Sequence, residues 1–449
     1  MTTSRRGRTL TAAFAAATVR QLLVARSLFR SHRYLARFDA TAPTDTTALE
    51  TFPIGAPRLY VVIPVLREDA IIEETVEHFQ LVVGRDAARL VVVTSERETV
   101  ERRHLANYGD TVGTVRKLAA DDKCVHYHCP DPTGLKADQL NYAASRILTS
   151  NPDRGADTFL LCYDADSRPP LDSIARFARA IAEHPDISVF HQSSRFELRR
   201  RDEIGAFVRR LRDAVADAGA LRANRFVLGY ELPRLVNRSR SAGSRKRHLC
   251  SYVYSHVTGH GLCVKLALLD RLPFPSRSPL EDMHYSFLLG SRNVAIQPVP
   301  SLDVAEVPAS LRVQVDQAAR WFLGPGRFRR YLADPRTQPG LRASLQAASA
   351  AAICAEWLSC AVLPTLLAIL LQKAPRRLRL ASGAFAAVYA GQLVATEAML
   401  GAPAPLALRL ARILAYPANS TLFGIGGVIG ASRLLHGEDE ARKTERPAM

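Results

Sequence analysis

From residue 58 onward, short and almost continuously apolar runs alternate with segments of helical periodicity. The runs that end in polar residues are RLYVVIPVL, ARLVVVTSERE and DTFLLCYDAD. Between the first two runs, side chains recur at helical spacing at Ile71, Ile72, Thr75, Val76 and Phe79. This alternation predicts an α/β domain with a mixed open sheet and flanking helices, in which ligands bind where the strands end.

Two acidic residues stand two positions apart at the end of the third run. In an extended backbone Asp164 and Asp166 project to the same side, so their carboxylates would converge and repel. A divalent cation such as Mg²⁺ or Mn²⁺ relieves this repulsion by taking oxygen ligands from protein, phosphate and water. A solvated turn is the alternative, because Asp, Ser and Pro are also ordinary turn residues.

The charge of the chain favours anionic partners. Its 449 residues are 47% hydrophobic and carry a formal net charge of +17, and only seven of the 60 basic residues are lysine. Phosphates or lipid headgroups suit this balance, whereas no helix-turn-helix, zinc-ligand or RNP-type pattern supports nucleic acid as a partner. Seven scattered cysteines indicate reduced thiols in a cytoplasmic environment.

One short segment, KCVHYHC, offers transition-metal ligands. Cys124, His126 and His128 would share one face of a strand. No second pair of ligands follows at a zinc-finger spacing, so an ordinary strand is the favoured interpretation.

The first 40 residues hold eight arginines and a single acid. The apolar run from Leu10 to Val19 is too short to cross a bilayer, and Arg20 interrupts it. Residues 1–52 are therefore predicted to form a basic amphipathic segment on the membrane surface, followed by a linker.

A second arginine-rich region spans residues 195–247. Its helical pattern places one apolar face at Ile204, Phe207, Val208, Leu211 and Val215. A solvated basic face is the ordinary interpretation of the arginines, and contact with headgroups or an acidic substrate is the functional one.

The chain becomes membrane-like after residue 342. Three apolar segments have about the length needed to cross a bilayer: 343–372, 378–400 and about 411–435. The basic loop 373–379 should remain cytoplasmic, whereas 401–408 carries no cation. The first segment is therefore predicted to be interfacial or re-entrant, bent at Pro364 and holding Glu356 out of lipid, and the other two to span.

Four further segments supply groups for anion binding and proton transfer. Lys136 lies near a turn glycine, where it can neutralise a diphosphate. Glu281 and Asp282 open a helical pattern, whose dipole helps to keep a carboxylate ionised, as a general base must be. Two glycines around His260 indicate a close backbone approach. The fourth segment, QAARWFLGP, places three functional groups within one helical turn, on Gln317, Arg320 and Trp321.

Each of these residues also has a purely structural interpretation. An acid pair is common in the first turn of a helix. Trp321 would pack in a core or at a membrane interface, and Lys136 would be solvated.

Taken in order, the motifs resemble those of family-two glycosyltransferases of GT-A fold, particularly membrane-anchored members related to cellulose and hyaluronan synthases. The likeness covers about residues 58–330 and, more loosely, the membrane tail. VVIPVLRED is similar to the opening strand and its Pro-x-x-x-Glu turn, here Pro64 and Glu68, and GLKADQLNYA to the Gly-Lys-Ala-x-x-Leu-Asn segment. DADSRP resembles the metal-binding Asp-x-Asp, LED the segment that ends in the catalytic base, and QAARW the Gln-x-x-Arg-Trp motif.

The resemblance implies an inverting, metal-dependent transfer of a hexose from a nucleotide sugar to a lipid-linked or saccharide acceptor. Asp164 and Asp166 would hold Mg²⁺ or Mn²⁺ against the departing diphosphate. Asp282, with Glu281 beside it, would take the proton of the acceptor hydroxyl. The implied donor-binding residues are Pro64, Glu68, Glu96, Lys136, Asp164 and Arg320. The implied acceptor-binding residues are Gln317, Trp321 and His260.

One departure from the family pattern concerns the second strand, which often ends in an acid that contacts the nucleotide base. Here the strand reads VVVTSERE. Glu96 would substitute from a shifted position, or Thr94 and Ser95 would serve.

The resulting organisation is a multi-pass protein of the cell membrane with a cytoplasmic catalytic domain. The predicted segments are a basic N-terminal region (1–52), the GT-A domain (53–340), membrane-associated helices (341–437) and a cytoplasmic tail (438–449). A processive polysaccharide synthase is the variant of the same chemistry. A nucleotidyltransferase would need an early glycine-rich phosphate loop, which VVIPVLRED lacks, and a non-catalytic membrane scaffold is the rival outside enzymes.

Overall fold

The computed structural model of the chain describes most of its length. The described residues are 5–39, 58–84, 88–102, 109–150, 157–198, 207–242, 254, 257–278, 280–401 and 404–437.

Strands and helices alternate through the first two thirds of the chain, and helices follow alone. The strands are β1 Arg58–Pro64, β2 Ala88–Ser95, β3 Val125–Cys129, β4 Thr158–Cys162, β5 Val189–Leu198, β6 Leu262–Lys265 and β7 Gln297–Val307. The first helices are α1 Arg5–Asp39, α2 Ile72–Val83, α3 Glu96–Arg102, α4 Thr111–Ala120, α5 Lys136–Ser150, α6 Ser173–Glu183 and α7 Phe207–Phe226. A π-helix, Val227–Glu231, joins α7 to α8, Leu232–Ala242. The remaining helices are α9 Leu266–Arg271, α10 Glu281–Ser291, α11 Leu311–Gly326, α12 Phe328–Ala333, α13 Leu341–Ser359, α14 Leu363–Lys373, α15 Arg376–Leu400 and α16 Leu406–Leu435.

Within the described residues, seven strands form one mixed sheet in the order β3-β2-β1-β4-β6-β5-β7. The strands β1 to β4 run parallel, β6 is antiparallel to both of its neighbours, and β5 is parallel to β7. The predicted mixed α/β sheet is therefore confirmed. Because β1 and β4 pair in parallel, Pro64 and Asp164 come to the same edge of the sheet.

Both faces of the sheet are covered by helices, as the apolar strands require. On β1, Tyr60 and Val62 pack with the buried faces of α5, α9 and α10. The alternate residues Leu59, Val61 and Ile63 pack with α2, α4 and α6. The helical face predicted for α2 is buried at four of its five positions, and only Ile71 is half-buried and lies just before the helix.

The predicted apolar face of α7 is wrong at Leu211, which is 57% exposed. The buried face consists instead of Ala214, Ala218 and Leu221, which pack against α15 and α16. Arg225 is 6% exposed, so a solvated basic face does not describe this helix. The helical periodicity does not predict this buried face, because helices that are distant in the sequence cover α7. Ile204 lies outside the described residues.

Three helices in the described part of the chain are long and apolar enough to cross a membrane: 8–36, 376–400 and 406–435. The first corrects the expectation that the N-terminal apolar run is too short, because the helix continues through Arg20 to Asp39. Helices α13 and α14 are bent by 61° at a short break, and Pro364 lies in the first turn of α14. The predicted bend is confirmed, and the re-entrant arrangement stays a prediction.

Candidate active site

The site lies at the carboxyl edge of the central strands, where β4 is followed by its two aspartates. The Asp164 side chain is 42% exposed, and Asp166 is exposed. The Asp164 Oδ1 atom accepts a hydrogen bond of 2.5 Å from Lys136 Nζ, on the first residue of α5. A parallel sheet brings these two groups together because the turns after β3 and β4 open on the same edge.

Lys136 connects three parts of the site. Its Nζ atom also donates to the carbonyl oxygen of Gly259 at 2.8 Å and lies 3.6 Å from Glu281 Oε1. Burial by itself would lower the pKa of Lys136, but the carboxylates of Asp164 and Glu281 raise it well above its usual value. The ammonium group is therefore held charged between the strand-end aspartate and the acid pair.

Glu281 and Asp282 form the first turn of α10. Glu281 is 7% exposed, and Asp282 Oδ1 accepts a hydrogen bond of 2.7 Å from the backbone NH of Met283. Burial raises the pKa of both carboxyl groups, and the charge of Lys136 opposes the rise. A raised proton affinity suits a group that must accept a proton during a reaction.

Gly259 lies where these side chains converge. A Cβ atom at this position would lie 2.8 Å from Lys136 Nζ, 3.2 Å from Glu281 Oε1 and 3.5 Å from Asp282 Oδ2. Gly261 has a φ of +63°, and a Cβ there would lie 2.4 Å from the carbonyl oxygen of Gln192. The close approach predicted from the two glycines around His260 is thus confirmed.

His260 takes part in a buried polar set behind the acid pair. Its Nε2 atom lies 3.1 Å from Ser194 Oγ, and its Nδ1 atom lies 3.6 Å from Asp303 Oδ2. Asp303 is fully buried, and burial raises its pKa to about 6. Glu231 is also buried, with its pKa raised by burial to about 7 and its charge within electrostatic range of His260.

The QAARW segment lies on α11. Burial lowers the pKa of Arg320, and the carboxylates of Asp164, Asp282 and Glu281 oppose that shift, so its guanidinium shares their field. Gln317 and Trp321 are half-buried on the same helix. Their acceptor-binding role stays a prediction.

The turn after β1 is held by Thr111 and Glu98, which the sequence did not single out. Glu68 is buried, and its NH donates to Thr111 Oγ1 at 2.9 Å. Arg67 has a φ of 58°, and its NH donates to Glu98 Oε2 at 2.8 Å. Pro64 and Glu68 therefore lie at the predicted edge of the sheet, and their donor-binding role stays a prediction.

The ends of β2 and β3 form a second polar group beside this turn. His126 Nε2 and His128 Nδ1 each lie 2.8 Å from the hydroxyl of Thr94, and His128 Nε2 lies 2.9 Å from Glu96 Oε2. Glu96 also lines a cavity of about 200 Å³ together with Glu98 and residues of α4. These contacts fit an ordinary strand end, as the sequence favoured, and the histidines are engaged by Thr94 and Glu96.

Asp164 and Asp166 are the predicted ligands of a divalent metal ion. Among the described residues, no group of three or more His, Cys, Asp or Glu side chains is arranged to hold a metal. Two carboxylates at an open edge suit a hard cation only if phosphate and water provide the remaining ligands. The donor set is therefore compatible with Mg²⁺ or Mn²⁺ that arrives with a phosphate-bearing substrate.

Four functional candidates were not predicted from the sequence: Ser194, Glu231, Glu98 and Asp303. One sequence signal could have indicated them, namely the polar run HQSS at residues 191–194. This run lies within a strand, and its side chains are all buried. A row of buried polar residues in a strand indicates a hydrogen-bonded network beneath a site.

The fold and site together define an α/β protein with a cleft of carboxylates and cations at the carboxyl edge of its sheet. No protein-family model and no curated protein sequence matches the chain. The solved structures that align with it include a mannosyltransferase from Pyrobaculum calidifontis in complex with GDP-Man and Mn²⁺. The two sequences are 21% identical and the TM-score is 0.43. The alignment covers 86% of this chain and 98% of that one.

Two further solved structures align with this chain at lower sequence identity. A structure of residues 1–349 of S. aureus TarS has 13% identity and a TM-score of 0.34, with 85% of this chain and 92% of that chain covered. A glucosyl-3-phosphoglycerate synthase from Mycobacterium tuberculosis, in complex with phosphoglyceric acid, has 18% identity and a TM-score of 0.33. In that case the alignment covers 59% of this chain and 75% of the other.

Proposed function

We propose that the chain is an inverting, metal-dependent glycosyltransferase of family two, which moves a hexose from a nucleoside-diphosphate sugar to an acceptor hydroxyl. The observation that carries the proposal is the position of Lys136 between Asp164 and Glu281. It joins a group suited to the leaving phosphate with a group suited to the acceptor in one cleft.

The leaving-group side consists of Asp164, Asp166, Lys136 and Arg320. A divalent cation held by the two aspartates would neutralise charge on the diphosphate. Lys136 and Arg320 would bind phosphate oxygens directly, since both are cationic and lie in the field of the same carboxylates.

The acceptor side consists of Asp282, supported by Glu281. The acceptor oxygen bonds to the anomeric carbon while the bond to the diphosphate oxygen breaks, and the electron pair leaves with the diphosphate. The hydroxyl proton passes to Asp282 Oδ2, because Oδ1 already accepts from Met283. Attack from the face opposite the diphosphate inverts the anomeric centre.

The helical region supports an acceptor that is lipid-linked or close to a membrane. Three described helices are long enough to cross, and the bent pair α13 and α14 adjoins them. We place the protein in the cell membrane with the catalytic domain on the cytoplasmic side, where nucleotide sugars are made available.

The test is incubation of membranes that contain the full chain with a panel of labelled nucleotide sugars and Mn²⁺. We expect donor turnover with one sugar, its loss on chelation, and its loss in Asp282→Asn with donor binding retained. Asp186→Asn, an exposed acid on the same domain, is the matched control. Long products would favour a processive synthase. Absence of turnover with every donor, together with an unchanged biological effect of Asp282→Asn, would favour the scaffold.

A further inference from the structure

Three arginines surround the ring of Tyr230 on the π-helix. The guanidinium carbons of Arg20, Arg225 and Arg234 lie 5.9, 5.7 and 5.5 Å from the ring centroid. They come from α1, α7 and α8, so only the packing of these helices assembles them. We call these three residues the arginine cluster.

The cluster has more positive than negative charge. Arg20 Nη2 lies 2.5 Å from Glu356 Oε2, and the Tyr230 hydroxyl donates to Glu356 Oε1 at 3.3 Å. Arg225, in contrast, donates to two neutral amide oxygens, those of Gln21 and Gln392, at 2.9 and 2.8 Å.

Arg234 adds an unused donor to the cluster. Its Nη1 atom is buried and has no hydrogen-bond acceptor within the part of the chain that the structure describes. Burying the guanidinium group of Arg225 and the Nη1 atom of Arg234 without a paired carboxylate is costly, and a bound anion with several oxygens offsets that cost. Phosphate has this form, and arginine binds it through paired hydrogen bonds.

The cluster is unevenly exposed. The side chains of Arg20 and Glu356 are 52% and 37% exposed, whereas Arg225 is 6% exposed. The exposed pair belongs to α1, which is long and apolar enough to cross a membrane, and to α13, the first arm of the bent pair. With these helices in a bilayer, an anion that enters between them comes from the lipid layer, which favours the phosphate of a lipid as the occupant.

The charges of the cluster are related to those behind the acid pair. Arg234 lies within electrostatic range of Glu356 and also of Glu231, which in turn interacts with His260. Tyr254 connects the same region to α10, because its hydroxyl donates to the carbonyl oxygen of Met283 at 2.8 Å. A phosphate bound at the cluster would therefore lie in an electrostatic field that it shares with Glu231, a neighbour of His260 in the candidate active site.

We infer that Arg20, Arg225 and Arg234 form a binding site for the phosphate of a membrane lipid, which serves as the acceptor or carries it. The binding site stands on the geometry of the cluster, and the role as acceptor rests on the proposed function. Glu356 occupies the mouth of the site and is displaced from Arg20 when the phosphate binds.

The test measures lipid retention, independently of sugar transfer. The full chain is placed in nanodiscs of neutral lipid, and bound phosphatidic acid is compared with diacylglycerol of the same acyl chains by native mass spectrometry. We expect selective retention of phosphatidic acid. Arg20→Gln and Arg234→Gln should each weaken it roughly tenfold, the effect of losing a charged hydrogen bond. Glu356→Gln should strengthen it, because the competing carboxylate is removed.

Arg26→Gln is the matched control, since Arg26 is an exposed arginine on the same helix outside the cluster. Equal retention by the wild type, Arg20→Gln and Arg234→Gln overturns the inference, as does an equal loss in Arg26→Gln. Full displacement of the lipid by inorganic phosphate would identify a soluble phosphate as the ligand and overturn the lipid assignment.

Arginine-dependent retention without any sugar transfer would support the site and contradict the proposed function. Sugar transfer together with lipid retention that does not depend on the arginines would support the proposed function and contradict the lipid-phosphate site.

Discussion

Lys136 Nζ lies 2.5 Å from Asp164 Oδ1 and 3.6 Å from Glu281 Oε1, so one ammonium group joins the end of β4 to the start of α10. Without it, carboxylates from two elements would face each other in a partly buried cleft. Lys136 reduces the repulsion between these carboxylates, and under the proposed function the same cation would bind a diphosphate.

Lys136→Met should therefore lower the turnover number for sugar transfer by about a hundredfold or more, because a preorganised cation is lost from the leaving-group side. Lys136→Arg should retain more activity, since it keeps the charge. The measurement is kcat with the nucleotide sugar that the proposed donor panel identifies, together with the thermal midpoint of each variant. Lys117→Met, which removes an exposed lysine from α4, serves as the control. Activity of Lys136→Met at the wild-type level would contradict this role.

Asp166→Ala should weaken binding of Mn²⁺ in the presence of donor by roughly tenfold or more, because one of two carboxylate ligands is removed. Electron paramagnetic resonance of bound Mn²⁺ measures this without requiring turnover. Asp186→Asn should leave the titration unchanged. An identical Mn²⁺ affinity in Asp166→Ala and the wild type would show that Asp166 is not a ligand.

Gly261→Ala should destabilise the fold more than Gly84→Ala, although both glycines have positive φ. Both substitutions strain the backbone, by roughly 1–3 kcal/mol, but only Gly261 has a backbone oxygen 2.4 Å from the new Cβ, whereas Gly84 faces open space. The thermal midpoints of the two variants make the comparison. Equal midpoints would mean that the loop before β6 shifts without cost.

Glu231→Gln should make stability less dependent on pH. The pKa of Glu231 is raised by burial from 4.5 to about 7, so the folded state prefers its neutral form. That preference stabilises the fold below about pH 4.5 and is lost as the pH rises through about 7, a change of about 3 kcal/mol at most. We expect the thermal midpoint of Glu231→Gln to exceed that of the wild type increasingly between about pH 5 and pH 8. Glu183→Gln, an exposed control, should run parallel to the wild type, and a constant difference for Glu231→Gln would refute the burial argument.

The sequence by itself determined the elements whose signals are local. The strands β1, β2 and β4 follow from continuous apolar runs, and α2 follows from helical spacing, because side-chain periodicity depends only on neighbours in the chain. The same reasoning placed Asp164, Lys136 and the Glu281–Asp282 pair near strand ends and a helix start. Parallel pairing then brings such ends to one edge of the sheet.

Only the tertiary structure decided what surrounds these groups. The polar set of His260, Asp303 and Glu231 joins residues from β7 and two other parts of the chain. The arginine cluster joins residues 20, 225 and 234, and no local pattern relates them. The exposure of Leu211 and the burial of Arg225 have the same cause, since the face that a helix buries depends on which distant helices pack against it. Burial and charge pairing are properties of the assembled chain, and they set the proton affinities of the acid pair and the charge of the arginine cluster.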